Sequence, residues 1–467
     1  MALTVFACSA ERVTSVEGAR PNIVVVMTDD QTVESVQMMP NVKRLLGEQG
    51  VTFRNSFASF PLCCPSRATF LTGQYSHNHG VLSNLPQDNG GYYQLDNTNT
   101  LPVWLQASGY RTTHIGKYLH AYGTRDPTEV PPGWTEWYGT IDYTTYFVYD
   151  YEVNENGVVR TYGHTAKDYQ TDVHTRRALE VIRRQAPGEQ PFFLSIAFLA
   201  PHASRTSPSE PNYDSPPDAA PRHSGAFANE PLPMPPSFNE ADVSDKPQHI
   251  QGLPVLDEAG IEEVTASYRA RLASLLAVDE AVGEIVRTLD EVGELDNTYL
   301  LFTSDNGFLH GEHRLPTGKV VLYEESIRVP LIVRGPRAAR RATSETMVAN
   351  IDLAPTIAQI AEAEPERTMD GRSLLPVLHN AGNKAPRALL IENLSNSDPK
   401  KNPKYTAIRT DRYLYAEYAT GERELYDLVN DPYQLVSHHD DPAYAATRAD
   451  LAARLATLRT CSGQSCH

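Results

Sequence analysis

Ile23-Val24-Val25-Val26-Met27-Thr28-Asp29-Asp30 is a run of five apolar residues that stops abruptly on a threonine and two carboxylates. A short continuous apolar run without polar alternation is the pattern of a strand buried on both faces, as in a parallel sheet. Phe192–Phe198 repeats it and stops at Leu199-Ala200-Pro201-His202. Tyr299–Thr303 stops at Ser304-Asp305-Asn306-Gly307, and Val329–Val333 follows in the same style. Helical patterns alternate with these runs. Asn41–Glu48 places Val42, Leu45 and Leu46 on one face, Asp172–Arg184 carries Ala178, Leu179, Val181 and Ile182, and a long pattern runs from Glu262 to Val292 with Gly293 as its stop. The alternation predicts an α/β domain with a mostly parallel sheet. Open sheets of this kind bind ligands at the carboxyl ends of their strands, where three of the four runs end in residues of catalytic type.

The 467 residues carry a net charge of −17, with 21% charged and 40% hydrophobic residues, an ordinary globular balance. This length predicts two or more domains with a core that needs no staples. The acidic balance excludes a nucleic-acid partner, which requires clustered Lys and Arg; it leaves room for an anionic substrate in a locally cationic pocket. No run is long enough for a transmembrane segment. Met1–Ala10 is short and apolar and reads either as the remnant of an export or lipoprotein segment ending at Cys8, which places the protein in the periplasm, on a lipid anchor or outside the cell, or as an incidental start. Pro201–Pro254 contains twelve prolines, a stretch expected to wrap the active-site face. After about residue 375 the texture changes to short strands, Arg387–Glu392, Tyr405–Arg409, Tyr413–Ala416 and Glu424–Leu428, then a helix over Asp441–Arg459. The expected division is 1–19 as export remnant, 20–375 as catalytic domain and 376–467 as a smaller α+β domain with an antiparallel sheet.

The five cysteines are too few for a disulfide scaffold. Cys461 and Cys466 either close a small terminal loop or remain free thiols. Cys63 and Cys64 are adjacent and bridge only with strain. They open Cys63-Cys64-Pro65-Ser66-Arg67-Ala68-Thr69-Phe70-Leu71-Thr72-Gly73-Gln74. This segment resembles the signature of the type I sulfatases of the alkaline phosphatase superfamily: Cys, a variable residue, Pro-Ser-Arg, then Leu-Thr-Gly. The resemblance implies that a formylglycine-generating system oxidises Cys63 to formylglycine, with Cys64 at the variable position. The hydrated aldehyde of that family offers one oxygen to attack sulfur and a second whose deprotonation expels sulfate, dividing one difficult displacement into two steps.

Asp29-Asp30 and Asp305-Asn306 are weak signals alone, since Asn-Gly is a common turn. At strand ends beside the cysteine motif they form an oxygen-ligand set suited to a hard cation, Ca²⁺ before Mg²⁺ or Mn²⁺. In the family the equivalent residues bind one calcium together with the formylglycine derived from Cys63. Gly116-Lys117-Tyr118-Leu119-His120 resembles the Gly-Lys segment of the glucosamine-6-sulfatase branch, with His120 where that branch has Asn. The resemblance puts Lys117 on the sulfate oxygens. His120 either assists the formylglycine hydroxyl or lines the pocket. Pro201-His202 is similar to the family's Pro-His element and makes His202 the general acid for the leaving alcohol. Gly318-Lys319 with Leu322–Pro330 resembles another block of the family, which implies that Lys319 is a second sulfate lysine and that Arg67 holds the formylglycine. His310 and His313 either touch substrate or metal or lie on an exposed rim.

The resemblance covers most of the chain, from about Arg20 to about Ser437. It implies an alkaline-phosphatase-like large domain with a central mixed sheet flanked by helices, and a sulfatase that hydrolyses sulfate monoesters of aminosugars, glycans or aryl alcohols. The alternatives are a phosphonate monoester or phosphodiester hydrolase of the same superfamily and a catalytically silent binder of sulfated glycans.

Overall fold

The computed structural model describes residues 20–205, 216–383, 386–396 and 400–467. The expected export segment and Cys8 lie outside the described residues, as do positions 206–215 of the proline-rich stretch. Ten strands form one sheet in the order Ala342–Ser344, Val51–Phe53, Leu331–Arg334, Thr298–Ser304, Asn22–Thr28, Phe192–Ala197, Arg111–Gly116, Glu136–Thr140, Glu152–Glu155 and Val158–Thr161. The middle five are mutually parallel, and Asn22–Thr28 lies between Phe192–Ala197 and Thr298–Ser304.

Burial on both sides explains why these strands read as unbroken apolar runs. Ile23, Val25, Met27, Phe193, Tyr299 and Leu301 face one layer, which includes the helices Cys63–Thr72, Leu101–Ala107 and Leu353–Ile360. Val24, Val26, Leu194, Ile196, Leu300 and Phe302 face the other, against Gln170–Gln185 and Glu258–Glu291. Successive strand side chains point to opposite faces, and each such burial contributes roughly 1.5–3 kcal/mol.

The register brings several strand ends to one edge. Thr28 pairs with Ser304, while Met27 and Gly116 both pair with Ala197. Asp29, Lys117, Phe198 and Asp305 therefore leave the sheet side by side. Gly116 is required there: its φ is +96° and a Cβ would stand 2.2 Å from Ala197 O. The Lys117 N–H then donates to that same carbonyl at 2.9 Å.

Two elements differ from expectation. Leu331–Arg334 is antiparallel to Thr298–Ser304, because the chain returns through a loop and the short helix Glu324–Ile327 without the crossover that a parallel neighbour needs. The segment after Pro40 winds as a π turn over Val42–Leu46 and a 3-10 turn over Gly47–Gln49 rather than as a plain α-helix. Its start is held by the Asp279 carboxylate, which accepts from the backbone N–H of Asn41 (3.1 Å) and Val42 (2.9 Å). The long helix begins at Glu258, four residues before its apolar pattern, where the Asp257 side chain accepts from Gly260 N at 2.9 Å.

A second sheet is an antiparallel meander of Leu389–Asn393, Tyr405–Arg409, Tyr413–Tyr418 and Arg423–Asp427, with helix Ala445–Leu458 packed on it. Its core is continuous with Phe57, Tyr75, Leu322, Tyr323 and Ile327. The described part of the proline-rich stretch bridges the two regions. Asn239 N donates to Gly311 O at 2.8 Å, and Lys246 Nζ donates to Gln434 O and Leu435 O at 2.8 and 2.9 Å. Cys461 and Cys466 are joined in a disulfide, and Cys63 and Cys64 are free and buried. No helix among the described residues is long and apolar enough to cross a membrane.

Three core histidines, His79, His114 and His174, are held to about 3 by burial. The unfolded chain binds protons on them from about pH 6.5 downward, where the folded chain does not, so stability rises with pH across this window. Acidification from pH 7 to pH 5 should lower the denaturation midpoint, with each such histidine contributing up to about 1.4 kcal/mol per pH unit. His174→Leu, at a ring whose two nitrogens have no hydrogen-bond partner, should flatten that slope; an unchanged slope in urea titrations at both pH values would contradict the assignment.

Candidate active site

Cys63 begins the helix Cys63–Thr72 after the extended Leu62. Pro65 sits in its first turn, where its missing N–H has no intrahelical partner to lose. Successive helical side chains diverge by about 100°, so adjacent cysteines part company. Cys64 turns into the apolar core, and Cys63 Sγ turns to Asp29 Oδ1 at 3.4 Å and Lys319 Nζ at 2.8 Å. Ser66 and Arg67, three and four residues on, share the Cys63 face. Ser66 Oγ donates to Asp305 O at 2.5 Å. Arg67 spans the site: Nε to Asp305 Oδ2 at 2.8 Å, one terminal nitrogen to Lys117 O at 2.8 Å and the other to Asp29 Oδ2 at 3.3 Å. The spacing of the motif is thus the spacing of one helix face.

Around this face stand Asp29, Asp30 and Asp305, opposed by Arg67, Lys117, Arg271 and Lys319, all closely packed. Lys117 Nζ contacts Asp29 and Lys319 Nζ contacts Asp30. Burial alone would raise the Asp29 carboxyl, but Lys117, His202, Arg67 and Lys319 hold it well below the usual carboxylate range. Asp30 is likewise lowered, burial being outweighed by Lys319 and His202. Asp305 goes the other way, to about 6, because burial and the Asp29 charge outweigh Arg67. Burial and then Asp29 push the Cys63 thiol up to about 12. Four cations against three carboxylates leave a surplus that suits an anionic ligand, aided by the positive end of the Cys63–Thr72 helix.

One oxygen in this cluster has no protein partner. Asn306 Nδ2 donates to Asp30 Oδ1 at 2.6 Å, while Asn306 Oδ1 is buried without a hydrogen bond. Ligating atoms of Asp29, Asp30, Cys63 and His202 lie within 4.8 Å of one another. Converging carboxylates, with a buried unpartnered amide oxygen on the side chain that touches Asp30, fit a hard cation. The Asp305 carboxylate is more heavily committed, accepting from Arg67, from Asn306 N at 2.8 Å and from Asp30 N at 3.2 Å.

His202 is 8% exposed. Its Nδ1 is 2.8 Å from Ala203 O, which leaves Nε2 on the site, 3.6 Å from Asp30 Oδ2. Burial lowers its pKa to about 4, against the pull of Asp29 and Asp30. His120 rests on Tyr146 Oη (3.2 Å) and near Asp142 (3.6 Å); no hydrogen bond links it to Cys63 among the described residues. His313 is fully buried, 2.6 Å from Glu240 Oε2 and stacked on Tyr323 at 3.9 Å. His310 is buried between Tyr268 and Phe308. Neither is an exposed rim residue.

Two neighbours escaped the sequence reading. Arg271 donates to Asp30 O at 2.8 Å and lies 3.6 Å over the Phe308 ring. It is a polar break in the helix stripe Val264, Tyr268, Leu275, Val278, a signal that was there to be read. Tyr146 lies against Lys117 and His202 and had no distinguishing spacing among its aromatic neighbours.

Residues 21–363 match the family model described as sulfatase, and residues 311–461 match one described as N-sulphoglucosamine sulphohydrolase, C-terminal. The chain belongs to the sulfatase family and is a sulfuric ester hydrolase. It is 36% identical to the N-acetylglucosamine-6-sulfatase of Homo sapiens over 96% of this chain and 86% of that protein. An arylsulfatase of Volvox carteri is 35% identical over 96% of this chain and 76% of its own length. A solved structure described as a complex with its substrate, D-glucosamine-2-N,6-O-disulfate, aligns with a TM-score of 0.78 and 26% identity, covering 94% of this chain and 98% of that one.

Arg67→Lys should be strongly destabilising, because a point ammonium cannot reproduce three fork-directed bonds in a buried cluster. A loss on the order of 3 kcal/mol in chemical denaturation is expected. Wild-type stability in that variant would mean that the guanidinium is dispensable.

Proposed function

We propose that this sulfatase acts through a formylglycine at Cys63 and one Ca²⁺ held by Asp29, Asp30, Asp305, Asn306 and the modified Cys63 side chain. The carrying observation is the convergence of ligating atoms of Asp29, Asp30, Cys63 and His202 within 4.8 Å of one another, next to an Asn306 side chain that contacts Asp30 through Nδ2 and keeps a buried Oδ1 without a hydrogen bond. The unmodified thiol, pushed up to about 12, is a poor nucleophile at neutral pH, which favours modification. Formylglycine would supply the nucleophilic oxygen and Ca²⁺ would polarise the sulfate oxygens.

The chain's own residues do the rest. Lys117 and Lys319 take the ester's non-bridging oxygens, placing fixed positive charge where negative charge develops. Arg67 holds the Cys63 side chain against Asp29 and Asp305. His202, neutral at rest, takes a proton from solvent on its site-facing Nε2 as the anionic ester binds beside it, and passes that proton to the leaving alcohol. His120 lines the pocket through Tyr146. The substrate is a sulfated aminosugar or glycan fragment, with aryl sulfate as a workable surrogate; the likeness to N-acetylglucosamine-6-sulfatase and to the structure holding a disulfated glucosamine supports this choice. Maturation requires a formylglycine-generating system. Export, with or without a lipid anchor at Cys8, and a division at 375/376 between the catalytic and smaller domains belong to the same proposal.

Cys63→Ala should abolish sulfate release while leaving the melting curve intact. Cys64→Ala, in the core, should keep most turnover and lose modest stability; equal loss of activity in both would move the modified position. Aryl sulfate should be turned over faster than aryl phosphonate in parallel assays, and a clear preference for phosphonate would overturn the substrate class.

A further inference from the structure

Tyr146 closes the 3-10 turn Thr144–Tyr146 and is 3% exposed. Its ring lies 4.6 Å from Lys117 Nζ and 5.1 Å, centroid to centroid, from the His202 ring. Its hydroxyl is 3.2 Å from His120 Nδ1. One aromatic side chain therefore touches three of the groups placed around the ester.

The turn that carries it is pinned from several sides. Thr145 N donates to Ile141 O at 3.0 Å. Gln170 Nε2 donates to Thr145 O and Phe147 O at 3.0 and 2.8 Å, and Tyr146 O accepts from Arg205 N at 2.9 Å. The ring is a fixed platform rather than a mobile lid.

A rigid platform matters for these partners in different ways. Lys117 ends in a flexible four-carbon stem beside Asp29, and a facing aromatic ring attracts a desolvated ammonium, which favours one placement of Nζ. The His202 ring is held at Nδ1 by a carbonyl, and the Tyr146 ring packs on it at a tilt of 49°. For His120, Asp142 Oδ2 at 3.6 Å is beyond direct hydrogen-bond reach, and that carboxylate oxygen already accepts from Ala121 N at 2.6 Å. The phenol is thus the group that engages His120 Nδ1.

We propose that Tyr146 is a positioning residue for sulfate ester hydrolysis: its ring fixes Lys117 and His202, and its hydroxyl orients His120. The proposal rests on the roles given above to Lys117 and His202. Its two parts separate experimentally, because Tyr146→Phe keeps the ring and Tyr146→Leu removes it.

The test is steady-state hydrolysis of an aryl sulfate by formylglycine-containing wild type, Tyr146→Phe, Tyr146→Leu, His120→Ala and the double variant Tyr146→Phe/His120→Ala, with melting curves for each. Tyr146→Leu should lose about 10²-fold in kcat/KM, well beyond the loss of folded enzyme that its lowered melting curve accounts for. Tyr146→Phe should retain most of kcat and raise KM, and the double variant should be no worse than His120→Ala alone. Tyr146→Leu within about threefold of wild type, or Tyr146→Phe and His120→Ala effects that multiply, would overturn the proposal; the Phe-based cycle decides it even if the Leu variant folds poorly. Wild type that matures but turns nothing over would instead fail the underlying catalytic scheme.

Discussion

Three carboxylates and four cations share one water-poor space at the carboxyl edge of the central sheet, and the rest of the structure is arranged so that none is left unpaired. An uncompensated buried charge costs several kcal/mol. Arg67 alone bonds Asp305, Asp29 and the Lys117 carbonyl, so the helix, two strand ends and the Gly116-Lys117 turn are placed relative to one another through a single guanidinium. A well-packed apolar cluster would stabilise such a core as well or better. Retaining charge here makes sense as preorganisation for an anionic ester, whose developing charge meets dipoles already in place.

The parallel centre of the sheet is what makes this arrangement reachable. Parallel neighbours end at the same edge, so Asp29, Lys117 and Asp305 come together although they are far apart in sequence. The helix Cys63–Thr72 adds a face on which residues three and four apart point the same way. The proline-rich stretch ties the loop carrying Gly311 and His313 to the segment that follows the second sheet through Asn239 and Lys246, steadying the segment that delivers Lys319.

Much of this is legible in the sequence. Strands buried on both faces announce themselves as unbroken apolar runs, and their polar ends named Asp29, Asp30, His202, Asp305 and Asn306. The cysteine motif named Cys63 and Arg67 through its resemblance to the type I sulfatase signature, and the structure shows that its spacing is that of one helix face. What stayed hidden has a physical reason in each case. An apolar run has no direction, so Val329–Val333 read like a parallel strand although Leu331–Arg334 runs antiparallel. Tyr146 acts by position in three dimensions, from a 3-10 turn whose aromatic composition carries no period. By its place in the motif His120 admitted either an assisting or a pocket-lining role, and its ring rests on Tyr146. Cys461 and Cys466 admitted both a bridge and two thiols until their pairing was seen.

The central claim is that the nucleophile is an oxidised Cys63 and not a thiol. Mass spectrometry of the tryptic peptide Asn55–Arg67 from enzyme with measured sulfatase activity tests it most directly. The account predicts that this peptide carries an aldehyde or its hydrate at position 63 and a thiol at position 64, in a fraction that tracks specific activity. A fully active preparation in which Cys63 is an unmodified thiol would contradict it.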